Sequence, residues 1–326
     1  MKDKLKRAVS YAVDPLGHVP QDVSLVAEDF VTRGISEADL EGNMRPPVSY
    51  WSDAWRRFKK NPLAVAALVV LGLFVVLVIF APMTSGHDAY LMDSLVTNQE
   101  PSGSYWFGTD ALGRDLWTRV WVGARVSLIV AIACAMVQIV VGSICGAAMA
   151  YFGGIVDEVL MRVIEVVSSV PSLLISLLIM MVAGNNMGAL LLAMCITSWM
   201  DTARQVRGLV KGLRESDYVA AAQCLGASPM TIIVRHLIPN TLSILLLDLF
   251  MSIPTYIFSE ASLSFLGMGL KAPEISLGTL ISDGQAMLQI YPFQLFYPAL
   301  VLCLIVLAFN LFGDGLRDAL DPRMRK

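Results

Sequence analysis

Hydrophobic positions gather in six long runs separated by polar segments of very unequal length. The first, Leu63–Met83, carries no charge and is long enough as a helix to cross about 30 Å of hydrocarbon. The second, Val126–Tyr151, is equally uninterrupted. The third, Val163–Ala183, has Glu165 near one end and Pro171 inside, and the fourth, Met187–Thr202, is short with Asp201 at its end. The fifth, Thr241–Phe258, is interrupted by Asp248 and Pro254, and the sixth, Tyr297–Phe312, only by Asn310. These runs predict an all-α membrane protein with six transmembrane helices.

The polar segments order these helices. Residues 1–60 read as a tail, and near its end Trp51, Trp55 and Phe58 recur at helical spacing beside Arg56, Arg57, Lys59 and Lys60. An apolar stripe next to a basic face is the pattern of a helix lying at a membrane surface. Placing the N-terminus in the cytoplasm puts twenty Lys and Arg residues on that side of the six spans and only Arg114, Arg119, Arg125 and Lys271 outside. Basic residues concentrate in cytoplasmic loops, so both termini are expected there. With no apolar stretch before residue 60, no cleavable signal peptide is expected.

Composition agrees: 56% of residues are hydrophobic, 16% are charged, and the mean hydropathy is +0.64. A net charge of -3 with no basic tail argues against a nucleic-acid partner. Cys134, Cys145, Cys195 and Cys303 sit in apolar runs, Cys224 sits in a polar loop, and no CxxC pair exists. With only His18, His87 and His236 besides, neither a disulfide framework nor a zinc site is expected, and no metal ligand is assigned. The chain has no GxxxxGK[ST], so no phosphate-binding loop and no cofactor of its own is expected. HExxH and GxSxG are also missing, which argues against a hydrolase.

Three places could carry function. The loop between the fourth and fifth runs opens at Asp217, a candidate N-cap, and passes through Ala220-Ala221-Ala222 to Gly226, which can end a short helix. Ser228 and Pro229 are suited to the N-cap and N1 of a second helix, and Pro239 should end it. Such a hairpin could dock another protein or pack on its own bundle. Gly108, Thr109, Asp110, Gly113, Arg114 and Asp115 form a Gly/Asp-rich turn, either structural or ion-binding, although its acidic spacing is not that of an EF-hand. Asp248 is a carboxylate inside a span, which is costly in lipid and marks either a functional group or a wet cavity. Gly142 and Gly146 make a GxxxG, expected to serve helix packing within the chain.

The loop from Ala220 to Pro239, with Gly226, His236 and Ile238, resembles the EAA loop of ABC importer permeases, here with Ala220 where the family has Glu and Ile238 where it has Leu. Phe107–Asp115 with Arg119, Gly123 and Arg125, Glu260–Gly267, and Gly313–Pro322 are similar to the C-type permease subunits of dipeptide, oligopeptide and nickel importers. One departure is external, where Ile275-Ser276-Leu277-Gly278 replaces a frequent Pro-Ser-Trp-Gly. The resemblance implies a type I importer fold in the bacterial cytoplasmic membrane. Its divisions would be a cytoplasmic tail with an interfacial helix (1–60), a first span with an external segment (61–121), the shared permease domain (122–314) and a cytoplasmic C-terminal tail (315–326). It implies no enzyme activity, peptides as cargo, and a coupling helix at Ala220–Ala222. The implied partners are a second, homologous permease, two ATPase subunits that bind ATP and magnesium, and an external binding protein. Nickel is the alternative cargo. A gradient-driven secondary transporter is the rival class, although no inverted repeat is evident.

Overall fold

The computed structural model describes residues 50–320. Residues 1–49 of the expected tail over 1–60 and the last positions, Asp321–Lys326, lie outside the described residues.

Every regular element described is helical. Helix α1 (Tyr50–Phe58) is amphipathic, and its Phe58 is buried against Phe312, with ring centroids 5.5 Å apart. Helix α2 (Pro62–Thr84) starts where Asn61 caps it, its side chain accepting from the Leu63 and Ala64 amides, with Pro62 in the first turn. It is apolar all round and leaves most of its surface uncovered, the property of a helix facing lipid.

Helix α3 (Leu116–Phe152) is the central post. It packs along α6 (Met187–Arg214) because Gly142 and Gly146 carry no side chain there. A Cβ on Gly142 would lie 2.8 Å from the Trp199 carbonyl, and one on Gly146 would lie 2.4 Å from that of Ala203. The GxxxG therefore works within the chain, as expected.

Between these two helices the third apolar run does not stay straight. Helices α4 (Gly154–Ser168) and α5 (Ser172–Ala183) meet at 81°. Pro171 sits at the break, where its ring disfavours helical geometry in the residue before it. Asp157 of α4 is held by both guanidinium ends of Arg207 and by Lys211 at 3.1 Å, fixing α4 to α6.

After α6 come α7 (Asp217–Cys224) and a long rod made of α8 (Pro229–Ile232), a π turn (Ile233–Leu237), α9 (Ile238–Leu263) and a second π turn (Ser264–Met268). The expectation that Pro239 ends the helix is overturned. The proline lacks an amide hydrogen, and the π turn just before it shifts the register so that the Ile238 amide reaches Ile233 O. Asn240 Nδ2 then donates to His236 O at 2.6 Å, satisfying a carbonyl near the break. Helices α10 (Leu277–Ala286) and α11 (Phe293–Leu320) complete the bundle. α11 continues to Leu320, and Gly315 lies so close to Ala64 that a Cβ would come within 2.1 Å of it.

Among the described residues four helical rods are long and apolar enough to cross a membrane: α2, α3, Pro229–Met268 and α11. A fifth is reached if the bent pair α4–α5 is one span. The fourth run of the sequence is the start of α6, whose second half carries Asp201, Arg204, Arg207, Lys211 and Arg214 and so falls outside that set.

Candidate functional site

The α7 loop lies at the end of the bundle where α3 and α6 finish. Its sequence folds as expected, with changes of detail. The residue capping α7 is Ser216 rather than Asp217, which occupies the first turn, and Ser216 Oγ donates back to Leu213 O at 2.5 Å. Gly226 has φ +80°, the Gly226 amide donates to Gln223 O at 2.9 Å and the Ala227 amide to Ala222 O at 3.0 Å. These two bonds and the left-handed residue make a Schellman ending. Ser228 Oγ accepts from the Thr231 amide at 3.3 Å with Pro229 at the first helical position, as expected.

The three alanines do not share one face. Ala222 and Val219 are buried among Ala147, Ala150, Val206, Val210 and Ile232, whereas Ala220 and Ala221 face outward. Around them Tyr218, Leu225, Met230 and Val234 are uncovered, Leu225 to 88%. Asn240 Nδ2 also reaches Tyr218 Oη at 3.3 Å, tying α7 to the base of α9. Of the two readings left open by its sequence, the structure shows the packing on its own bundle. It packs on its own bundle by one side and presents a small-residue, apolar surface on the other.

The Gly/Asp block lies at the opposite end and is a turn that starts α3. Asp110 Oδ1 accepts from the Leu112 and Arg114 amides at 2.9 and 3.0 Å, and Arg114 Nε meets Asp110 Oδ2 at 2.7 Å. Arg119 Nε is 3.3 Å from the same oxygen. Asp115 caps α3, its Oδ2 taking the Thr118 amide at 3.1 Å. Thr109 Oγ1 donates to Val96 O, while Thr109 O accepts from Gln294 Nε2 at 3.0 Å. Gly108 and Gly113 have φ of +79° and +74°, and a Cβ on Gly113 would lie 1.8 Å from Asp93 O. Nearby, burial raises the Asp283 carboxyl above its ordinary value, opposed by Arg119 and Arg114. Both oxygens of Asp110 and Oδ2 of Asp115 serve the turn, while Asp115 Oδ1 is buried without a hydrogen-bond partner.

Asp248 is half-buried on α9, and its partners come from two other helices. Thr202 Oγ1 donates to its Oδ2 at 2.6 Å and Gln138 Nε2 at 3.0 Å, while Tyr256 Oη donates to Gln138 Oε1 at 2.7 Å. The sequence pointed to Asp248 but not to Thr202 or Tyr256.

A second carboxylate was missed as a site. Glu260, quoted above only as part of a motif, is fully buried, and its oxygens accept from Ser127 (2.8 Å), Ser264 (2.9 Å) and Ser276 (2.6 Å). Ser127 Oγ also accepts from the Leu277 amide at 3.1 Å, so one carboxylate joins α3, α9 and the start of α10. The serine spacing around Glu260 was the available signal.

An all-helical membrane bundle with a structured helical loop at one end and a rigid turn at the other defines the general class. The chain belongs to the family of binding-protein-dependent transport system inner membrane components, whose profile matches residues 138–326. A second profile, the N-terminal transmembrane domain of oligopeptide transport permease C, matches residues 49–101. An oligopeptide transport system permease protein of Bacillus subtilis is 41% identical over 297 residues, covering 91% of this chain and 97% of the relative. A dipeptide transport system permease protein of the same organism is 40% identical over 300 residues, 92% and 94% of the two chains. A glutathione transport system permease protein of Escherichia coli is 38% identical over 278 residues, 84% and 91%.

Proposed function

We propose that this chain is a permease subunit of an ATP-driven peptide importer in the bacterial cytoplasmic membrane. The observation that carries the reading is similarity along nearly the whole chain to relatives named as oligopeptide and dipeptide permeases. The geometry fits this. α7 presents Ala220 and Ala221 outward on a hairpin rooted in the bundle by Val219 and Ala222, a form suited to transmitting motion from a docked protein into α3, α6 and α9. In this reading α7 is the coupling helix and seats in an ATPase subunit, a second homologous permease completes the path, and an external binding protein delivers the peptide. ATP and magnesium are bound by the ATPase partners, not by this chain. Six crossings, with α4–α5 as the third and the first part of α6 as the fourth, would leave both termini cytoplasmic and Gly108–Asp115 outside.

The test is reconstitution. Peptide uptake should require ATP, the partner permease, the ATPases and the binding protein together, and the purified chain alone should bind no nucleotide. Saturable nucleotide binding to the homogeneous chain, or uptake driven by an ion gradient without ATPases, would remove this reading.

A further inference from the structure

Helix α9 carries a polar stripe that the function described so far does not use. Asp248, Ser252, Thr255, Ser259 and Ser262 recur at steps of four and three residues and so fall on one face of the helix. Thr241, Leu245, Ile253, Pro254, Ile257, Glu260 and Leu263 are the positions buried against the bundle. On the stripe, Thr255 is exposed and the other four are half-buried. A helix crossing hydrocarbon does not keep such a row, with an acid in it, against lipid.

Three further features indicate that the face is wet and that Asp248 awaits a ligand. Ser259, near the far end of the stripe, lines a cavity of about 80 Å³ with Ser172, Ser176, Thr197 and Tyr256, so the row opens on further hydroxyls. Ser252, Ser259 and Ser262 each donate their hydroxyl hydrogen to a backbone carbonyl of α9, at 2.8 to 2.9 Å, which leaves their oxygens as acceptors facing outward. Asp248 is anchored through Oδ2 alone, by Thr202 and Gln138, and both donors are neutral. Its Oδ1 has no hydrogen-bond partner among the described residues, and no Lys or Arg occurs anywhere on α9. A carboxylate fixed by one oxygen and open at the other, on a face of acceptors, is built to receive a hydrogen-bonding cation.

We propose that this face of α9 is a wall of the peptide path and that Asp248 receives the α-ammonium group of the peptide in transit. The inference rests on the peptide-importer reading and adds a named contact for the substrate. An ammonium offers three donors: one meets Oδ1, while the row of serine and threonine oxygens can take others as the peptide moves along the helix.

The experiment uses the complete importer in proteoliposomes, with trialanine and its des-amino analogue as probes. Asp248→Asn should assemble normally with the partner permease and the ATPases, yet lose at least tenfold in trialanine uptake. Asp248→Glu should recover most of it. The des-amino peptide, carried less well by the unaltered importer, should lose nothing further in Asp248→Asn. A second measurement decides the case even if that analogue is not carried at all. With the native cysteines replaced and Thr255→Cys introduced, a tripeptide bearing a haloacetyl group on its first side chain, with its amine free, should label the thiol at least fivefold faster than one bearing it on the last. Unchanged trialanine uptake by Asp248→Asn, equal losses for the two peptides, or labelling indifferent to position would overturn the proposal. So would loss of the partner permease from Asp248→Asn, which would make the face a subunit contact. An unaltered importer that carries no peptide would instead end the functional reading itself.

Discussion

Gly226 shows how much one backbone angle can carry. Its φ of +80° is a conformation that costs a residue with a Cβ about 1–2 kcal/mol, although nothing stands within 4 Å of where that Cβ would be. The position is therefore constrained by conformation alone. Gly226→Val should leave the membrane helices intact and shift α7, so that ATP hydrolysis continues while peptide uptake falls. Uptake and ATPase rate measured on equal amounts of assembled importer would show it, and an unchanged ratio would refute it. Gly113 is the opposite case, since both the angle and the space forbid a side chain. Gly113→Ala must push back the Asp93 backbone and should cost about 1–3 kcal/mol, seen as a lower melting temperature of the detergent-solubilised protein. Both glycines could be picked from the sequence because helix ends and tight turns ask for left-handed residues locally. Thr202 and Tyr256 could not, because their partners Asp248 and Gln138 lie on other helices or far along the chain, and only packing brings them together.

Among the elements, the apolar runs gave the helices but not their punctuation. Pro239 was read as a stop and Pro171 as lying inside one run, and the structure treats the two the other way round. Pro171 breaks the chain by 81°, whereas Pro239 follows a π turn inside a continuous rod. The difference lies in what satisfies the freed groups: Asn240 reaches back to His236 O, and the Ile238 amide reaches Ile233 O. Helix α7 was legible as a helix from its caps, but which alanine faces in was not, since three consecutive small residues carry no amphipathic signal. The structure separates them and so separates two mutations. Ala221→Glu places a charge on the outward face and should abolish capture of the ATPase subunits while the amount of membrane-inserted chain stays normal. Ala222→Glu buries that charge among Val206, Val210 and Ile232, where an unpaired carboxylate is strongly destabilising. It should lower the yield of folded chain several-fold. Pull-down and folded yield, read side by side, check both, and the same phenotype from the two variants would contradict the placement of α7.

For the molecule as a whole, the open quantity is the parity of crossings. Among the described residues four rods are long and apolar enough to cross, the bent pair α4–α5 makes a fifth if it is one span, and α6 decides between five and six. The apolar first part of α6, Met187–Thr202, would extend about 24 Å at 1.5 Å per residue, shorter than a bare bilayer core of about 30 Å. Yet Ala189, Leu190, Ala193 and Met194 are buried against α3 and α5, so this stretch is covered by protein and does not have to match lipid unaided. Its far half carries Arg204, Arg207 and Lys211, and Arg207 and Lys211 join Asp157 at the end of the bundle where α7 lies. Charges of that kind are stable in water or the interfacial layer and not in hydrocarbon. An α6 that crosses and then emerges accounts for both halves, and it returns the chain an even number of times. Reporter domains fused after Lys60, after Met83 and at the C-terminus should therefore report cytoplasmic, external and cytoplasmic positions in turn. A C-terminal reporter found outside would mean an odd number of crossings, and α6 would then have to lie along one side of the membrane rather than through it.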